Sequence, residues 1–193
     1  MRTALVGPLQ TTPTMSRIPL TRTPPAYKAP EGLHPCLGLR TSTLSDGSIV
    51  VQAQIKAEVS DAAAEILKRE VARFLHFAKV EKVAFSLLIH VTPTGRITFD
   101  QAKRLNEYMK AKKTTTLKCL KGTNIVLPSP SLEMMILSVF ALLPPLKPLT
   151  TRVLQEEDYK YDVITEWDMP KGVQKEIMKG FADLPWPDES GAL

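Results

Sequence analysis

Between Ile49 and Val91 the apolar residues change period twice, and no other feature of the chain constrains its fold as strongly. Ile49, Val51, Ala53 and Ile55 alternate with Gln52, Gln54 and Lys56, which predicts a strand with one buried face, opened by the turn signal Asp46-Gly47. Ile66, Leu67, Val71, Phe74, Leu75 and Ala78 then recur at three- and four-residue spacing, with Lys68, Arg69, Glu70 and Arg73 largely opposite. That is a helix, capped by Ser60 or Asp61. Val83, Phe85, Leu87, Ile89 and Val91 alternate strictly and predict a central strand, closed by the turn Pro93-Thr94-Gly95.

The following segments extend the same pattern. Thr98 and Gln101 have capping-box spacing ahead of a stripe of Ala102, Leu105 and Met109, so a helix is expected to end near Lys112. The β-branched run Thr114 to Leu120 reads as a third strand, with Ile125 to Leu127 a short extra one. Ser131 to Leu143 is apolar on almost every side, which predicts a helix packed on both sides, against the sheet and a partner or covering tail. Leu149 to Leu154 reads as a strand. Asp168 and Pro170 start a last helix carrying Val173, Ile177 and Phe181, with Trp167 and Trp186 as anchors outside the core. The expected fold class is α/β, an α+β sandwich: a small mixed sheet with helices packed on it, an extended N-terminal arm and a helical C-terminal tail.

Residues 1–45 form the arm. They include seven prolines and eight threonines and show no apolar periodicity, so they cannot build a core and should be extended and ordered only where another surface receives them. Charge follows the same division: +4 for residues 1–45, +7 for the expected core domain 46–153, and −6 for the C-terminal extension 154–193. A basic arm and body with an acidic end suit docking on a polyanion. The arm's first thirty residues hold no acid and carry spaced arginines, as an organelle transit segment does, although its prolines make a poor amphipathic helix. The expected location is therefore mitochondrial, otherwise cytoplasmic.

Catalytic chemistry has no signature here. Two cysteines, Cys36 and Cys119, exclude a disulfide framework and a paired CxxC zinc site. His34, His76 and His90 stand alone without a second ligand at metal spacing, and the nine glycines form no phosphate-binding loop or nucleophile elbow. No run reaches the roughly 18 apolar residues a membrane span needs. The reading is a non-enzyme without catalytic residues, metal, cofactor or small-molecule substrate. What rises above background is Lys103, Arg104, Lys110, Lys112, Lys113, Lys118 and Lys121, seven cations in nineteen residues against the single acid Glu107. Ammonium groups gathered on one edge meet phosphate oxygens without reading bases, and Arg17, Arg22, Lys28 and Arg40 of the arm extend that surface. Tyr108 is the only ring in the cluster, which disfavours recognition by stacking. Trp167, Trp186 and Phe181 are the expected protein-binding residues.

Two families resemble this order of elements. Ile49 to Ala78, the turn Thr92-Pro93-Thr94-Gly95-Arg96, Tyr108 to Leu120 and Leu132 to Val153 resemble the S-ten (NusE) family of small-subunit ribosomal proteins. The resemblance implies contact with ribosomal RNA through a basic loop, with Lys110, Lys112 and Lys113 in its place. The family's Arg-Thr-His-Lys-Arg run is absent, and Asn124 to Pro130 is an insertion. The same stretch is similar to a STAS domain, with Val83 to Val91 as central strand and Thr92 to Arg96 as the loop that carries a phosphorylatable serine in anti-sigma antagonists. No Asp-Ser pair occurs in that loop here, so the resemblance implies a docking scaffold without a phospho-switch. The expected function is a structural subunit of a large assembly. A mitochondrial ribosomal protein touching rRNA and neighbouring subunits comes first, and a subunit of a respiratory or ATP synthase complex with a STAS-like docking domain second.

Overall fold

The structure, a computed structural model, describes Tyr27 and residues 34–187. Five strands form one mixed sheet: β1 (Leu37–Thr43), β2 (Ile49–Ile55), β3 (Phe85–Val91), β4 (Leu120–Leu127) and β5 (Leu149–Val153), lying side by side in chain order. β1 is antiparallel to β2 and every later pair is parallel. Parallel neighbours require crossovers, and three helical connections provide them: α1 (Asp61–Glu81), then α2 (Phe99–Ala111) with α3 (Lys113–Cys119), then α4 (Pro130–Leu142). The fold is α/β.

The period-two residues of β2 and β3 face these helices. Ile49, Val51 and Phe85 pack with Phe74, Leu75 and Ala78 of α1, while Ile55, Val91, Ile125 and Leu127 pack with Ala63 and Ile136. Ser60 caps α1 by accepting the Ala63 amide, and Thr98 and Gln101 complete the capping box of α2. The opposite face of the sheet is covered from beyond residue 153. α5 (Glu156–Lys160), the segment after it and α6 (Lys171–Asp183) lay Leu154, Met169, Val173, Ile177 and Phe181 over Val50, Leu88 and Val126.

Several expectations are corrected. A strand precedes Asp46: β1 pairs along its whole length with β2 through a turn in which Gly47 takes φ 82°. Its Arg40, Thr41, Ser42 and Thr43 give an edge strand without apolar alternation, so periodicity could not reveal it. The run expected as a third strand is α3, because buried Thr116 satisfies its hydroxyl on the Met109 carbonyl (3.2 Å) and the helix packs on α1. The strand that follows is the eight-residue β4, not a short piece at 125–127. Among the described residues nothing covers the second side of α4: Ile136 and Val139 are buried, whereas Met134 and Leu142 are 65% and 68% exposed, so of the two expected covers the described tail is not one, and a partner is the other. Phe181 is core and Trp167 is 9% exposed, so neither is an anchor outside the core; Trp186 is exposed. Among the described residues no helix is long and apolar enough to cross a membrane.

Candidate nucleic-acid interface

α1 and α3 end where β3 and β4 begin, and the last turn of α2 packs Tyr108 and Met109 in the cluster of Phe85 and Leu120, so all three direct their C-termini to the end of the sheet at which β3 and β4 start. A helix C-terminus carries partial negative charge and favours cations in its last turn. Lys79, Lys110 and Lys118 occupy those last turns, and Lys82, Lys112 and Lys113 follow or link the helices. Lys79, Lys82, Lys112, Lys113 and Lys118 are exposed and Lys110 is half-buried. None of the six forms an ion pair among the described residues. Glu81 is the one acid in these terminal turns. The result is a lysine-rich end whose ammonium groups act as hydrated point charges.

The other expected cations are engaged elsewhere. Lys121 has a side chain 0% exposed, with Nζ donating to Asp46 Oδ2 at 2.7 Å, so it cannot reach a phosphate. Burial alone would raise the Asp46 carboxyl; hydrogen bonds from Lys121 and from the Ser48 hydroxyl and amide outweigh it and hold the carboxyl below its usual range. Arg40 donates Nε and Nη2 to Gln52 Oε1 at 3.0 and 2.9 Å, pairs with Glu166, and stacks 4.3 Å above the Trp167 ring. It fixes β1 to the C-terminal layer rather than presenting charge outward. Arg104 pairs with Asp61 at 2.7 Å, and Lys103 approaches Glu107 at 3.9 Å. Arg17, Arg22 and Lys28 lie outside the described residues.

Sequence reasoning therefore named Lys110, Lys112, Lys113 and Lys118 among the members of this end and missed Lys79 and Lys82. The signal for those two was topological. A helix between parallel strands must finish beside the next strand's start, which brings the α1 terminus next to α3.

The histidines do not assemble. His90 is 1% exposed on the sheet face under the C-terminal layer, and neither ring nitrogen has a hydrogen-bond partner among the described residues. Burial pulls its imidazole down to about 4, against the opposing influence of Asp168 and the nearby Trp167 backbone. His76 is exposed on α1, and His34 Nδ1 lies 3.0 Å from Cys36 Sγ. Among the described residues no group of three His, Cys, Asp or Glu side chains is placed to hold a metal. At the opposite end of the sheet, a cleft of about 460 Å³ opens between Arg96, Pro128, Ser131 and Met135. No family model, curated protein or solved structure matches the chain.

Proposed function

We propose that the protein is a non-enzymatic structural subunit of a large ribonucleoprotein assembly, docking on RNA phosphates through its lysine-rich end. The observation that carries this reading is the group of exposed lysines, free of ion pairs among the described residues, at the termini of α1, α2 and α3. Such a surface binds a polyanion by releasing counterions and carries no sequence information. The acid-poor basic arm favours a mitochondrial ribosome as the assembly. Neighbouring subunits are the other partners, and the exposed apolar side of α4, with Met134, Leu137 and Leu142, is the surface that suits them.

That same apolar side favours a second reading, in which the domain is a STAS-like docking scaffold within a respiratory or ATP synthase complex and RNA plays no part. A salt series separates the two. Affinity for a structured RNA should fall linearly on logarithmic axes, and replacing Lys112, Lys113 and Lys118 by alanine should flatten the slope by about 2 to 3 units. Lys121→Met, which removes one lysine charge from the interior, should leave the slope unchanged. Binding indifferent to the three exposed lysines would reject the RNA reading and leave the docking scaffold.

A further inference from the structure

The two faces of the central strand β3 are covered unequally. Towards the C-terminal layer, Ser86, Leu88 and His90 are 0%, 1% and 1% exposed. Towards the helices, Leu87 and Ile89 keep accessible surface although helices lie above them, and so does Ala53, their neighbour on β2. The reason lies in α2. Its only buried residue is Gln101, and its apolar stripe of Ala102, Leu105 and Met109 stays half-buried. α2 contacts α1, α3 and α4, and a cavity of about 130 Å³ lies between its stripe and β2, β3 and β4. Protein interiors are close-packed, and a dry apolar void near 150 Å³ takes up a molecule the size of benzene.

The lining is apolar but for the Thr116 hydroxyl, which donates to the Met109 carbonyl, the Thr123 side chain beside Leu87, and one end. There the loop between α4 and β5 brings Lys147, and α2 brings Asn106, whose amide donates to the Leu143 carbonyl at 2.6 Å. Lys147 makes no ion pair among the described residues. It precedes β5 and therefore lies at the strand-start end of the sheet that also carries the lysines of α1, α2 and α3, where the potential favours an anion.

We propose that this cavity binds a short, unbranched monocarboxylate, its chain lying along Ala53, Leu87 and Ile89 beneath α2 and its carboxylate meeting Lys147. The size sets the class: a chain of about six carbons fills a void of this volume. An ammonium in place of the carboxylate would meet Lys147 with like charge. The site rests on the cavity between α2 and the sheet and is independent of the RNA reading.

The test uses the full chain and three probes: hexanoate, hexylamine with the same chain and opposite charge, and acetate with no chain. Calorimetry and methyl shifts of Leu87 and Ile89 should show saturable one-to-one binding of hexanoate and none of acetate. Hexylamine binding and hexanoate binding to Lys147→Ala should each be weaker by about tenfold, the loss of a single charge pair. Ala53→Leu should fill the void, abolish hexanoate binding and leave Tm equal or higher. Ala102→Leu fills it from the α2 side and should behave alike. The proposal is overturned if hexanoate does not saturate, if its binding survives both fillings, or if hexylamine binds as well. A fall in Tm for both filled variants, the mark of overpacking, also overturns it because no void would then exist.

Discussion

Replacing Asp46 by asparagine tests the reading of Lys121 as an internal strut. The turn between β1 and β2 is tied to β4, two strands away, by a carboxylate that accepts from Lys121 Nζ at 2.7 Å and from Ser48 N and Oγ at 3.0 and 2.7 Å. Asparagine keeps the shape and the Oδ1 acceptor for Ser48 but sets its Nδ2 amide, a donor, against the Lys121 ammonium, so the change removes the charge and the acceptor of Lys121 together. It leaves an ammonium with no exposed surface and no counter-ion. Breaking a buried pair from one side costs 3–5 kcal/mol, and because the Asp46 side chain retains 23% exposure the low end applies, about 3 kcal/mol. Lys121→Met removes the desolvated charge and should cost about 1 kcal/mol, since the remaining carboxylate keeps Ser48 and some water. The double variant should resemble Lys121→Met, giving a coupling of about 2 to 3 kcal/mol in urea denaturation. A carboxyl lowered on folding adds stability that is complete above its unfolded value near 3.9 and is lost as pH falls through its lower folded value. The acid-side loss of the native protein should therefore shrink in Asp46→Asn. Additive single effects, or a cost for Asp46→Asn below about 1 kcal/mol, would refute an internal strut and return Lys121 to the surface.

Further expectations follow from particular contacts. His90, pulled down to about 4 in the fold from an unfolded value near 6.5, binds its proton less readily when folded, so stability should fall by roughly 3 kcal/mol between pH 6.5 and pH 4; urea midpoints across that range should show it, and His90→Leu should flatten it. A Cβ at Gly95 would stand 2.4 Å from the Ile55 carbonyl oxygen and 2.9 Å from Val91 Cγ1, so Gly95→Ala should destabilise by about 1–3 kcal/mol in the same assay. On α4, Ile136→Ala should cost about 2–5 kcal/mol, whereas Met134→Glu, at a position 65% exposed, should change stability by no more than about 0.5 kcal/mol. Equal costs at the two positions would mean that α4 is covered on both sides.

Much of the architecture was legible in the chain because it rests on local periodicity. β2, α1, β3, α2 and α6 all follow from apolar spacing with a cap or turn at one end, and Ser60, Thr98 and Asp46-Gly47 act where their chemistry predicts. β1 escaped because an edge strand needs apolar residues on neither face in strict order. α3 was misread because threonine's preference for strands is a fraction of a kcal/mol, less than the packing that holds Thr116 and Cys119 in a helix. The burial of Trp167 was equally hidden, since Arg40, which covers it, lies more than a hundred residues earlier in the chain.

The candidate site divides along the same line. The order of residues alone determined that this chain is rich in lysine between residues 103 and 121, and their apolar periodicity that helices and strands alternate through it. Which of those lysines face solvent was decided by the order of strands, because an ion pair is a relation through space. Asp46 reaches Lys121 across 75 positions of sequence only when β1 through β4 lie side by side. The same ordering gathers Lys79, Lys82, Lys110, Lys112, Lys113 and Lys118 at one end, as parallel crossovers deliver successive helix termini to the same edge of a sheet.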